Sequence, residues 1–379
     1  MLIDELLNHL INKGGSDLHL KVGRVPIIRV KGEMIKTEFP TLIDEDMKEM
    51  ANYLLTIQQM RRFEEEREFD FSYEPKGALA RFRGNLFHQK GKIGAVFRAI
   101  PRNVSTIDEM GYSPVLKELA KRHQGLVLVT GPTGSGKSTT LAAMVQFINE
   151  NRAGHIITIE DPIEFVFEDD KCLINQREIG LDTLNFAGAL KRALRQDPDV
   201  IMVGEMRDAE TISVAMTASE TGHLVLSTLH TIDAKQSIDR IIDTFSSDQQ
   251  DQIRMQIAST LLATISQRLL RRADGSGRVA AMEIMINTPM IKKLIEENRI
   301  GAIDKAIEES KSFYNTQSFN QSLFDLASSG VITKEEALAN STNPNDLNLK
   351  FQTQGFAASK EKEQEKGASL GLGKMPKPF

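Results

Sequence analysis

Hydrophobic positions along the chain follow one spacing before residue 100 and another after residue 125. Residues 1–13 place Leu2, Ile3, Leu6, Leu7, Leu10 and Ile11 at helical intervals. Residues 17–22 alternate as a strand does. Gly23 and Pro26 interrupt the alternation, and residues 27–30 resume it. A polar-faced helix is predicted over 44–66, then strands over 69–73, 80–87 and 94–100. Helices mixed with short, turn-linked strands predict an α+β domain over residues 1–100. Two prolines, Gly111 and several polar residues make 101–114 a hinge within a linker spanning 101–124. Beyond it the apolar runs become short and nearly continuous, at 126–129, 156–159, 200–203 and 224–227, with helical stretches between them. Strands buried on both faces read this way, which predicts an α/β domain with a parallel sheet over 125–350. Residues 250–340 read as mostly helical, and 351–379 as a polar, disordered tail.

Composition narrows the class of protein. A chain of 379 residues fits two domains and a tail, at about 150 residues per domain. With 40% hydrophobic and 26% charged residues, it is not a disordered or collagen-like chain. No apolar run approaches the ~18 residues of a membrane span, and no basic segment precedes an apolar stretch near residue 1. A cytoplasmic place is expected, free or at the inner face of the membrane. A net charge of −5, 6% aromatics and no tryptophan argue against a nucleic-acid partner, which a basic, aromatic-rich surface would serve better. The single cysteine, Cys172, supports neither an internal disulfide nor a tetracysteine zinc site; it reads as a small apolar residue.

One constellation carries chemistry. Gly131, Pro132, Thr133, Gly134, Ser135, Gly136, Lys137 and Ser138, followed by Thr139, form a P-loop pattern between a buried strand and a helical run. Glycines let backbone N–H groups turn inward around phosphate oxygens, and the helix presents its positive end. Lys137 is expected at the β- and γ-phosphates of ATP, and Ser138 on Mg²⁺. Residues 199–205 end an apolar strand in Glu205, placed to hold Mg²⁺ through water or to polarise the attacking water. Residues 159–164 end another buried strand with three carboxylates, which repel one another unless they face a cation or solvent. Glu164 is the candidate general base. His223 and His230 bracket a further strand. Each is a structural histidine or a sensor of the γ-phosphate. Arg81, Arg83 and Arg98 lie on strands of the first domain. They form a solvated face or, in an oligomeric NTPase, reach a neighbour's nucleotide.

Taken together, GPTGSGKS, ITIEDPIE, LRQDPDVIMVGEMRD and TGHLVLSTLHT resemble the secretion-type hexameric ATPases, and within them the pilus-retraction (PilT/PilU) group. The resemblance runs from residue 1 to about 350. It implies a PAS-like amino-terminal domain, a RecA-like ATPase core and a homo-hexameric ring with ATP sites at domain and subunit junctions. The family's Walker A lysine falls on Lys137, its Asp-box glutamate on Glu164 and its Walker B glutamate on Glu205. Its His-box histidines fall on His223 and His230, and its nucleotide-contacting arginines on Arg83 and Arg98. A lone cysteine precludes the zinc element of the assembly-type relatives, which favours the retraction branch. Residues 289–296 depart from the segment usual in the PilT-like motor, while 317–326, 335–340 and 345–349 look more like PilU. The expected role is therefore an accessory, PilU-like retraction ATPase working with a PilT-like paralogue on a PilC-like platform protein at the membrane. A primary PilT-like motor is the alternative, and a RecA-like nucleic-acid motor the remote one.

Overall fold

A computed structural model describes residues 2–75, 80–101 and 104–353. The amino-terminal part is a six-stranded, wholly antiparallel sheet built from β1 (Gly15–Lys21), β2 (Ile27–Val30), β3 (Glu33–Lys36), β4 (Glu68–Tyr73), β5 (Arg81–Gln89) and β6 (Lys92–Ile100). The strand order is β3-β2-β1-β6-β5-β4. The helix Leu2–Asn12 buries Ile3, Leu6, Leu7 and Leu10 completely, and these join Leu18, Phe82 and Phe97 of the sheet in one core. Full burial of each such side chain stabilises by roughly 1.5–3 kcal/mol.

Two local differences from the predicted elements have clear causes. The helix expected over 44–66 is two helices, Asp44–Leu54 and Ile57–Glu66. Thr56 breaks it, because its hydroxyl accepts from the Gln59 amide at 3.3 Å while Gln59 Oε1 accepts from the Thr56 amide at 2.9 Å. That reciprocal cap starts a new helix. Strand β3 escapes prediction because it is an edge strand exposed at all four positions, so it carries no apolar alternation.

The second sheet has seven strands: β7 (Gly125–Thr130), β8 (Gly154–Glu160), β9 (Cys172–Glu178), β10 (Val200–Val203), β11 (Leu224–Leu229), β12 (Leu261–Arg271) and β13 (Arg278–Ile286). Their order is β13-β12-β7-β11-β10-β8-β9, parallel except for β13 against β12. The sheet lies between two apolar layers. Leu126, Leu128, Ile157, Ile201 and Val225 face one layer, and Val127, Val129, Ile156, Val200 and Leu224 the other. This two-sided burial is the α/β parallel core expected from the continuous apolar runs, and it has the RecA-like form that the family resemblance implies.

Residues 250–340 are mostly helical as expected, with one correction: β12 and β13 occupy twenty of those positions (11 and 9 residues). β12 is buried on both faces from Ala263 to Gln267, so its apolar and small polar residues show no period-2 signal. Cys172 is buried at the start of β9, as a small apolar residue would be. Within the stretch expected to link the domains, Ile107, Val115, Leu116, Leu119 and Ala120 are buried against the second sheet's core. The segment expected as a tail lies outside the described residues from 354 onward. Its first residues close the helix Pro344–Thr353, with Phe351 buried against Leu270 and Leu323.

Candidate functional site

The carboxyl ends of β7, β8, β10 and β11 converge on a cavity of about 440 Å³. In an open α/β sheet this is where ligands bind, because loops diverge there and helix amino termini point inward. Thr133, Gly134, Gly136, Lys137, Ser138 and Thr139 line one side of it. Glu160, Asp161, Glu164, Glu205, Arg207 and His230 line the rest, with Phe165 and Phe186.

The loop after β7 takes its shape from glycines in conformations other residues avoid. Gly131, Gly134 and Gly136 have φ of 145°, 79° and 90°. A Cβ on Gly131 would stand 2.5 Å from both the Gln267 carbonyl oxygen and Ser135 Oγ, so no larger residue fits. β12 buttresses the loop. Gln267, fully buried, donates from Nε2 to the Ser135 carbonyl at 2.6 Å and accepts from Thr140 Oγ1 at 2.8 Å. The Thr130 hydroxyl donates to Ser266 Oγ at 2.9 Å. Ser135 Oγ is buried with no partner among the described residues.

Lys137 is 9% exposed and turns back over the loop, donating to the carbonyls of Gly131 at 2.9 Å and Pro132 at 3.1 Å. Burial lowers its pKa, and the carboxylates of Glu164 and Glu205 oppose that shift. The ammonium is thus held at the loop by two carbonyls and faces two acids across the cavity. Glu205, beyond the end of β10, receives Arg207 Nε at 2.7 Å and lies 3.4 Å from His230 Nε2.

Glu160 ends β8, almost fully buried, and was part of the carboxylate cluster without an assigned role. Its carboxylate accepts from Thr158 Oγ1 at 2.6 Å and Gln176 Nε2 at 3.1 Å, and the Glu164 amide also donates to it. Burial pushes its pKa up to about 7. Such a group changes charge near neutrality, beside Glu164 and across the cavity from Lys137.

The structure brings together Lys137, Ser138, Glu164, Glu205 and His230. It does not bring His223, which sits just before β11, at the opposite end of the strands from the cavity. His223 Nδ1 lies 2.9 Å from the Ala218 carbonyl. A strand of six residues separates it from His230, because the two histidines bracket opposite ends of one strand. Arg83 and Arg98 are cross-strand partners on β5 and β6, outside the cavity. Arg83 lies 3.8 Å from Asp70, and Arg98 Nε donates to buried Asp17 at 2.8 Å. Gln267, Leu269 and Arg278 were missed, since β12 and β13 were read as helix; Leu269 and Arg278 line the cavity.

A family of type II/IV secretion system proteins matches residues 1–338. The type IV pilus retraction ATPase PilT of Pseudomonas aeruginosa is 48% identical over 337 residues, covering 89% of this chain and 97% of that one. PilU, the type IV pilus ATPase of the same organism, is 41% identical over 349 residues, 92% of this chain and 91% of that one. A crystal structure of the pilus retraction motor PilT with bound ADP superposes with a TM-score of 0.83 at 43% identity, covering 92% of this chain and 98% of that one. The DotB ATPase of Legionella pneumophila superposes with a TM-score of 0.78 at 28% identity, covering 89% and 94%. The chain belongs to the type II/IV secretion system protein family and is a nucleotide-binding ATPase.

Proposed function

We propose that this ATPase is a hexameric motor of type IV pilus retraction, acting at the cytoplasmic face of the membrane on a PilC-like platform protein. The convergence of Lys137, Glu164, Glu205 and His230 on one cavity beside the P-loop supports the chemistry. The 48% identity to PilT supports the biological role. No helix among the described residues is long and apolar enough to cross a membrane, so the motor would act from a surface.

In this reading, backbone N–H groups of residues 131–136 and the start of the helix Lys137–Asn151 cradle the phosphates of ATP. Lys137 releases its two carbonyl contacts and turns its ammonium to the β- and γ-phosphates. Glu164 orients the attacking water, and Glu205, held by Arg207 and His230, faces the γ-phosphate end. The hard oxygen donors of Ser138 and Glu205 fit Mg²⁺, which when bound would offset phosphate charge. His230 is placed to report the γ-phosphate through its contact with Glu205. Arg83 and Arg98 lie outside this chain's own cavity, so any contact with nucleotide is with a neighbour's in the ring. Loss of γ-phosphate contacts on hydrolysis would then release the amino-terminal domain as a rigid body.

The higher identity to PilT favours a primary motor. A second reading, an accessory PilU-like ATPase beside a PilT-like paralogue, is supported by residues 289–296 and by the longer alignment to PilU. Imaging labelled pili in a strain lacking this gene, with the paralogue intact, separates the two. If retraction stops and pili accumulate, the chain is the primary motor. If retraction persists but fails under load, the accessory reading holds. Normal retraction under load would remove both.

A further inference from the structure

We propose that Glu178 is a positioning residue that ties the loop carrying Glu164 to the amino-terminal domain, so that the seating of that domain sets the rate of ATP hydrolysis. The inference rests on the reading of Glu164 as the residue that orients water. Glu178 ends β9, at the edge of the second sheet, in register with Glu160 on β8. A carboxylate on an edge strand has easy access to water, yet Glu178 is only 6% exposed. What covers it comes from the other sheet. Ser72, on β4, reaches both carboxylate oxygens from its hydroxyl at 2.9 Å. The Arg81 guanidinium, on β5, donates to Oε2 at 3.3 Å. The same Oε2 accepts from the backbone amide of Ile163 at 3.4 Å, and Ile163 immediately precedes Glu164.

One carboxylate thus receives donors from the amino-terminal domain and from the loop between Glu160 and Glu164. Its own backbone is fixed from behind, since the Glu178 amide donates to Asp182 Oδ2 at 2.8 Å. A buried carboxylate stripped of its partners is costly, so it moves or takes up water when they leave. When the amino-terminal domain is seated, Ser72 and Arg81 hold Glu178 inward, where it grips the Ile163 amide. When that domain rotates away, both donors go together, and the longest contact, to Ile163, loses its support. Glu164 then loses the fixed placement that orienting water demands, because small misplacements of a catalytic group are expensive in rate. Nucleotide still binds, because the P-loop is held by contacts of its own, to Lys137 and Gln267.

The test compares Glu178→Gln and Ser72→Ala with the unaltered full chain. Steady-state hydrolysis, affinity for a fluorescent ATP analogue and thermal unfolding are measured for each. The expected result is kcat lower by about tenfold in both, with KM and analogue affinity changed by less than about twofold. The double variant should lose no more than the worse single one, as members of one network do. Glu164→Gln is measured beside them. Full turnover in Glu164→Gln would remove the catalytic reading on which the relay stands. Lost turnover in Glu164→Gln with unchanged kcat in Glu178→Gln and Ser72→Ala would overturn the relay alone. A fall in kcat that only tracks weaker nucleotide binding and a lower unfolding temperature would make Glu178 a structural pin and overturn it too.

Discussion

Single side chains in this molecule are decided by what surrounds their charge. Lys137 has two carbonyl partners and lines the cavity, so replacing it removes the cation and widens a cavity that already exists. Lys137→Ala should cut ATP turnover by at least about a hundredfold while the unfolding temperature stays within a few degrees; near-normal turnover would refute the site assignment. Glu283, on β13, shows the opposite environment. It is 7% exposed and accepts the Ala234 amide at 2.8 Å, and burial pushes its pKa up to about 7. A carboxyl whose folded pKa lies above its unfolded value contributes stability that is present below the unfolded value and lost as pH rises through the folded one. Glu283→Gln keeps an acceptor for Ala234 and cannot ionise. Relative to the unaltered chain it should therefore gain stability between pH 4.5 and 7.5, by up to about 3 kcal/mol. Denaturant melts at the two pH values measure this, and an equal difference at both would mean that Glu283 does not titrate in that range.

At the scale of elements, the central strand and the loop after it form one unit. Every residue of β7 is buried, and Leu128 contributes to one of the two apolar layers. Leu128→Ala should destabilise by about 2–5 kcal/mol, seen as a lower denaturant midpoint with an unchanged slope. Gly131→Ala acts differently, because φ of 145° and the 2.5 Å approaches to Gln267 and Ser135 force the loop to move. Nucleotide affinity should fall by at least about tenfold while the global midpoint moves less than in Leu128→Ala. Retained affinity would show that the loop tolerates the shift. The P-loop was readable from its residues because the phosphate cradle demands glycines at set intervals. Its buttress was not. Ser266 and Gln267 are polar residues on a strand buried on both faces, and nothing in the local pattern distinguishes them from a helix.

For the whole molecule, Ser72 and Arg81 meet Glu178 where the first sheet comes against the second. Arg83 and Arg98 do not line the chain's own cavity, so the proposed catalytic contact is one that only a second copy could make. Arg83 is the cleaner probe, because Arg98 also neutralises buried Asp17, and its loss would strand a carboxylate. Arg83→Ala should lower hydrolysis by about tenfold or more without changing the unfolding temperature. Titrated into wild-type protein, it should also depress activity beyond simple dilution, since each altered subunit would disable a neighbour's site. Activity that follows linear dilution would place Arg83 outside the ring's catalytic contacts.

Residue order alone determined the features that depend on local chemistry. These are the glycine-spaced phosphate loop, the carboxylates Glu164 and Glu205 just beyond two buried strands, and the two-sided burial that predicts a parallel core. The tertiary structure decided what depends on distant residues meeting. It made strands of residues 261–271 and 278–286, because pairing of β12 with β7 and of β13 with β12 outweighs a pattern that carries no period. It put His223 at the far end of the strands and His230 at the cavity, since a strand's two ends lie far apart however alike their histidines look in sequence. It also joined Ser72 and Arg81 to a glutamate about a hundred residues away, a contact that no local spacing encodes because it exists only once two separately folded sheets are packed together.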